Sequence, residues 1–329
     1  MKLATYRNGC RDGRLLVVSR DLTRAVDAAA VAATMQQLVE DWDARAPRLQ
    51  ALYAQLNAGT AAGAFAFEPA LCLSPLPRTH QFVDASAFLN HGNIMEQAYD
   101  LDVKKTPGIP VLVQRQSDDF WGPCDDYPLV EADHGDFEGE FAVIVDDTPM
   151  AASPEICASK IRLVMILNDV SMRAHLFREL QMGFGFINAK PATVFGPVAV
   201  TPDELGEGWG ADGRIHLDMC VSRNGEAFGH PNGREMDWSF GELLARLALN
   251  RNLRAGTILG TGTVSNQAAR TVGSACLAER RALEKIERGE SVTPFLKLGD
   301  RLRFEVFGAD GQSIFGAVDH RFVPFHAEA

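Results

Sequence analysis

The chain has 329 residues, and its 32 basic and 43 acidic side chains give a formal net charge of −11. With 46% hydrophobic and 23% charged residues, this is the composition of a globular chain of one or two domains with a sizeable core, not of a disordered one. A pI near 5.2 and the lack of any basic run exclude nucleic acid and membrane lipid as main partners, because both select a positive surface. An anionic small molecule would have to be met by a local cluster of cations.

Residues 1–8 contain no apolar leader, and apolar runs such as 163–167 are far too short to span a bilayer, which predicts a soluble, cytoplasmic protein. Gly9 and Asp12-Gly13 mark a hairpin turn ahead of the strand-like Leu15-Leu16-Val17-Val18. Leu38, Val39, Trp42, Leu49, Leu52, Tyr53 and Leu56 keep helical spacing, with Thr34 and Gln37 as a capping box and Pro47 in the first turn of a second helix. Pro69, Pro75 and Pro77 then place a boundary between a small hairpin-plus-helix domain, 1–75, and a main domain, 76–329.

The main domain reads mostly as strands. Residues 140–145 form a buried one, Ile215, Leu217, Met219 and Val221 alternate up to an Asn224-Gly225 turn, and Leu302, Phe304 and Val306 alternate until Asp310-Gly311 turns the chain back toward residues 314–318. Three helices interrupt them: one begun by Ser153-Pro154, one near 174–180, and one capped by Ser239 and Glu242. The fold class is mostly β with α. Cys10, Cys72, Cys124, Cys157, Cys220 and Cys276 form no C-x-x-C, and read as reduced, mostly buried thiols.

The chemistry lies in acids at strand-like places. Glu138 and Glu140 stand two apart and leave one face of a strand, where two carboxylates repel unless a cation or proton separates them; a solvated strand face is the plain alternative. Asp169 ends a core strand, either as a cap for the next helix or as a ligand at a site, and Arg173 lies four residues on. Asp84 precedes His91 by seven residues, and a lone histidine is more often structural than a base. Gly260-Thr261-Gly262-Thr263 lacks the last glycine of a dinucleotide fingerprint, so a nucleotide is not expected.

In this order, D-x6-H, E-x-E, N-D-x-S-x-R and a Gly/Phe-rich loop ending in Lys190 resemble the fumarylacetoacetate hydrolase family over about 82–322, and the N-terminal unit resembles the appended domain of its longer hydrolases. The resemblance implies a mixed β-roll carrying one divalent cation on Asp84, Glu138, Glu140 and Asp169. An all-carboxylate set suits Mg²⁺, Mn²⁺ or Ca²⁺. It further implies Arg173 and Lys190 as catalytic cations at the substrate oxygens, Thr263 in a Gly-Thr turn bordering the substrate, His91 as general base and Glu279 as its partner, two positions off the usual spacing. The implied reaction is hydrolysis of a C–C bond in a 1,3-diketone acid by a homodimer, first of all 4-fumarylacetoacetate in aromatic amino acid (tyrosine) breakdown. Acylpyruvate hydrolysis, oxaloacetate decarboxylation and enol-keto isomerisation are alternatives with the same chelated enolate, and a non-catalytic scaffold is a third class. Ala174 and Leu176 stand where fumarylacetoacetases carry an acid and a glutamine, and Ala85 and Ser86 replace an aromatic pair; these departures bear on the substrate.

Overall fold

The structure is a computed structural model that describes residues 1–100 and 106–325. Its centre is the antiparallel pair Gly139–Val145 and Ile161–Asn168, with Glu140 opposite Leu167. Both read as near-continuous Val/Ile/Leu runs because both faces of the sheet are covered. Phe141, Val143 and Val145 enter one core with Phe304 and Phe322, while Ala142 and Ile144 enter another with Leu15, Leu38, Leu49 and Tyr53. Ile258–Gly260 pairs with Gly139–Val145 on one side and runs parallel to Phe82–Ala85 on the other, placing Gly260 opposite Asp84. Leu112–Arg115 closes that edge.

On the opposite flank, Ala199–Val200 joins Ile161–Asn168 to the N-terminal strand Lys2–Tyr6. The sheet continues through Arg14–Val18, Arg24–Asp27 and Phe65–Ala66; with Val194–Phe195 paired to Ile161–Asn168, it has eleven strands among the described residues. A second sheet of five strands runs in the order Glu226–Gly229, Cys220–Arg223, Arg301–Glu305, Val318–Pro324 and Tyr127–Leu129. The architecture is thus mostly β with α.

Several local expectations change. Pro47 lies inside the helix Trp42–Asn57, not in its first turn; it and Asp43 are exposed, so the carbonyl that loses its partner faces water. Thr34 accepts from Gln37 N, but the Gln37 side chain reaches Ala33 N and leaves the capping box half formed. The alternation over 215–221 is a strand only from Cys220, because the backbone before it bonds to irregular neighbours, His216 N to Gly208 O and Met219 N to Pro231 O. The return strand begins at Val318, after the left-handed Gly316 at φ +69°. Of the cysteines, Cys72, Cys157 and Cys276 are buried, Cys124 and Cys220 half-buried and Cys10 exposed.

The expected helices form as Pro154–Ser159, Arg173–Met182 and Phe240–Leu247, the last with a complete Ser239–Glu242 capping box. Two longer ones join them, Leu89–Tyr99 and Leu277–Arg288. They carry His91 and Glu279.

Candidate active site and metal centre

Three strands deliver three acids to one point. Asp84 comes from Phe82–Ala85, Glu140 from Gly139–Val145, and Asp169 directly follows Ile161–Asn168. One oxygen from each lies within 4.8 Å of the others. Asp169 does not cap the Arg173–Met182 helix, whose N-cap is Met172. Gly262 N donates to Asp84 Oδ1 at 3.0 Å and to Glu140 Oε2 at 3.2 Å. The glycines of this turn are required: a Cβ on Gly260 would stand 2.7 Å from Asp84 Oδ1, and Gly262 has φ +78° with the Ala85 carbonyl 2.2 Å from where its Cβ would be.

Burial raises the pKa of Asp84. It raises that of Glu140 much further, because Asp84 and Glu138 add like charge. Glu140 Oε1 is buried without a hydrogen-bond partner. Clustered buried oxygens that cannot all hold their charge, one of them unpaired, fit a hard divalent cation.

Glu138 stands outside that group of three. Its Oε1 accepts from Arg173 at 2.5 Å and lies 3.1 Å from Lys190 Nζ. Burial alone would raise its pKa, but Lys190 and Arg173 outweigh burial and hold it well below the usual carboxylate range. Lys190 Nζ also donates to Asp169 Oδ2 at 2.6 Å and to Ser171 Oγ at 2.7 Å, and burial lowers its pKa. Asp169 Oδ1 is paired with Arg115, a residue not singled out from sequence. Its only signal there is one arginine ending an apolar strand. Around the centre, Asp84, Asp136, Glu138, Glu140 and Asp169 face Arg115, Arg173 and Lys190. With every group charged, and the His91–Glu279 pair set aside, two negative charges remain, the complement of one divalent ion.

The structure brings His91 and Glu279 together across two helices, with His91 Nδ1 2.9 Å from Glu279 Oε2. Glu279 is fully buried in the first turn of its helix, where the helix dipole favours a carboxylate. Asp136 sets that helix in place: its carboxylate accepts from Leu277 N at 2.7 Å and Ala278 N at 2.9 Å while also holding Arg173 Nε at 2.8 Å. Asp136 too went unread in sequence, since its helix partners lie about 140 residues away and Arg173 lies 37 residues away.

One cavity of about 1000 Å³ is lined by Asp84, Glu138, His91, Arg173, Lys190 and Thr263. Leu176 lines it as well. Thus acids, cations and imidazole share one chamber.

A mixed sheet that gathers three carboxylates beside a histidine–glutamate pair has the donor set of a hard-cation site with a titratable partner at hand. Residues 81–323 match the fumarylacetoacetate (FAA) hydrolase C-terminal model and residues 1–78 the fumarylacetoacetase N-terminal domain 2 model. The chain therefore belongs to the fumarylacetoacetate hydrolase family. It is 29% identical over 161 residues to 2,4-didehydro-3-deoxy-L-rhamnonate hydrolase of Sphingomonas sp. (strain SKA58), a match covering 48% of this chain and 53% of that protein. The chain thus spans about half the length of that relative. Maleylpyruvate hydrolase from Sphingobium sp. SYK-6, solved with manganese(II) and pyruvate, shares the fold at TM-score 0.66 and 19% identity, covering 99% of this chain and 100% of that one. So does 5-carboxymethyl-2-hydroxymuconate delta-isomerase from Mycobacterium smegmatis, at TM-score 0.60 and 15% identity, over 99% and 100%. Among the described residues, no helix is long and apolar enough to cross a membrane.

Proposed function

We propose that the chain is a divalent-metal-dependent hydrolase that cleaves a C–C bond of a 1,3-diketone acid, with 4-fumarylacetoacetate, giving fumarate and acetoacetate, as the first substrate to test. The observation that carries this reading is that Asp84 of the Asp84–Glu140–Asp169 cluster and His91 of the His91–Glu279 pair line one cavity with Glu138, Arg173 and Lys190. Asp84, Glu140 and Asp169 would hold Mg²⁺, Mn²⁺ or Ca²⁺, with the second oxygen of Glu138 as a fourth ligand. Such an ion, when bound, supplies Lewis-acid polarisation of paired substrate oxygens and charge to stabilise an enolate.

The protein's own groups do the rest. Glu279 holds the proton on His91 Nδ1, so that Nε2 is the basic nitrogen; it takes a proton from water as the hydroxide adds to the carbonyl. Arg173 Nη1 and Lys190 donate to the resulting oxyanion. Lys190 does so by giving up its 3.1 Å contact with Glu138. Cleavage then expels the enolate, which the imidazolium of His91 reprotonates. Thr263 borders the substrate.

Leu176 favours a second reading. It lines the cavity where fumarylacetoacetases place an oxyanion-supporting glutamine, and an apolar group there suits decarboxylation or isomerisation, which form no tetrahedral oxyanion; acylpyruvate hydrolysis forms one and would leave it to Arg173 and Lys190. Turnover of 4-fumarylacetoacetate, acylpyruvates and oxaloacetate with Mg²⁺ or Mn²⁺ decides between them: fumarate release supports the first reading, and turnover of oxaloacetate alone replaces it. The reading includes a homodimer, as the family resemblance implies, and light scattering at micromolar concentration that returned the single-chain mass of 35.8 kDa would refute it.

A further inference from the structure

Lys190 reaches the acid cluster at the end of a segment with little else to hold it. Phe184 is 95% and Ile187 79% exposed, whereas Ala189 and Lys190 are buried. Two ties fix the passage from exposed to buried chain. One is the bond from Met172 N to the Ala189 carbonyl at 2.8 Å. The other is the carboxylate of Glu179, which accepts three successive backbone N–H groups: Ile187 at 2.9 Å and Ala189 at 3.1 Å on Oε2, and Asn188 at 2.8 Å on Oε1.

Consecutive N–H groups converging on one anion make a concave anion seat, and bonds to an ionised acceptor are about twice as strong as neutral ones. Desolvation opposes ionisation of Glu179, but the three N–H groups together outweigh it and hold its carboxyl below the usual range. Its place in the chain gives this seat a consequence. Glu179 lies on the Arg173–Met182 helix, so the element that starts with Arg173 grips the segment that ends in Lys190.

We propose that Glu179 is a positioning residue: by gathering the N–H groups of residues 187–189 it sets the entry of Lys190 into the acid cluster and locks that entry to the helix bearing Arg173. The proposal rests on the reading of Lys190 as a substrate-oxygen cation. Lys190 Nζ must meet Asp169, Ser171 and Glu138 within 2.6–3.1 Å, and a displacement of about 1 Å at such a group costs on the order of a hundredfold in rate.

The test uses the full chain, Mn²⁺ and then oxalate, a two-oxygen anion, with both affinities read by calorimetry. Glu179→Ala is expected to keep Mn²⁺ affinity within about threefold and to weaken oxalate about tenfold or more, the loss following from Lys190 misplacement. Lys190→Met at saturating Mn²⁺ should weaken oxalate similarly, and the double variant should be no worse than Lys190→Met alone. In the metal-free protein, chymotrypsin should cut at Phe184 and Phe186 several-fold faster once Glu179 is removed, since the opened segment spends more time accessible. Glu179→Gln, which keeps one carbonyl acceptor, should fall between parent and Ala, and it carries the test if the Ala variant does not fold.

Parental oxalate affinity in Glu179→Ala, an undiminished Glu179→Ala effect in the Lys190→Met background, or unchanged chymotryptic cleavage overturns the proposal. Parental oxalate affinity in Lys190→Met, or no oxalate binding by the Mn²⁺-loaded parent, overturns instead the reading of Lys190 on which it stands.

Discussion

His91 and Gly260 bear the two most direct residue-level tests. Replacing His91 by Ala should leave metal affinity nearly intact and lower kcat about a hundredfold or more, the usual contribution of a general base; steady-state kinetics at saturating Mn²⁺ checks this, and a parental kcat moves water activation elsewhere. Gly260→Ala touches no reacting group, yet its Cβ would fall 2.7 Å from Asp84 Oδ1 and 3.0 Å from Glu140 Oε2. It should weaken Mn²⁺ binding at least tenfold, because no real Cβ contact is that short and the carboxylates must move; calorimetry reads it. The acids and their order were legible in the sequence because the strand period of two and the family motif both mark them. Arg115 and Asp136 were not, since Arg115 takes its meaning from Asp169, 54 residues away, and Asp136 from Arg173 and Leu277, 37 and 141 residues away.

Helices, more than strands, decide where His91 and Glu279 sit. Leu89–Tyr99 buries no residue fully and so carries no apolar stripe for a periodicity reading to find. Leu277–Arg288 is rich in strong helix formers but begins at a Cys cap and not at Ser, Thr, Asp or Asn. What seats the second helix is Asp136, fully buried and bonded to two of its first-turn N–H groups and to Arg173. Asp136→Ala leaves the Arg173 guanidinium short of its partner and should cost about 3 kcal/mol or more, the usual loss on breaking a buried pair, read by urea unfolding, with kcat falling as Glu279 shifts. Asp136→Asn, which keeps an acceptor for the helix, should cost less.

The strand Val318–Pro324 contributes a pH term. His320 is buried, and burial lowers its pKa from the ordinary 6.5 of histidine to about 4. Its Nε2 lies 3.0 Å from Asn168 Nδ2, and Asn168 Oδ1 accepts from Glu138 N at 3.1 Å, so the network requires a neutral imidazole that accepts at Nε2. The unfolded chain binds the extra proton more readily than the folded one. The contribution of His320 to stability is therefore complete above pH 6.5 and is lost as pH falls toward 4, by about 3 kcal/mol in all. Urea midpoints of the parent should drop between pH 7 and pH 4.5 by more than those of His320→Phe; equal drops would show that this histidine is not the cause.

At the scale of the molecule, one sheet runs from the N-terminal hairpin to the strands that carry Asp84 and Glu140. The hairpin itself was readable from Asp12-Gly13 and the apolar run after it, but its pairing with Ala199–Val200 was not, because a strand two residues long carries no pattern of its own. That continuity makes ligand binding at the acids a stability term for the whole chain. Without an ion, Glu140 and Asp84 are driven toward their protonated forms and Glu140 Oε1 stays unpaired; an ion that binds only the folded arrangement removes both penalties. At a free Mn²⁺ concentration a hundred times its Kd, linkage gives about 2.7 kcal/mol. For a chain of this length, with an unfolding entropy of roughly 2 cal/mol/K per residue, that corresponds to a Tm about 4 °C higher. Thermal scans with Mn²⁺ and with excess chelator should differ by this amount, and Glu140→Gln, which removes the group under greatest strain, should raise the Tm of the chelated protein while abolishing most of the Mn²⁺ shift. If Mn²⁺ moves the Tm of parent and variant equally, the ion is binding somewhere other than the Asp84–Glu140–Asp169 cluster.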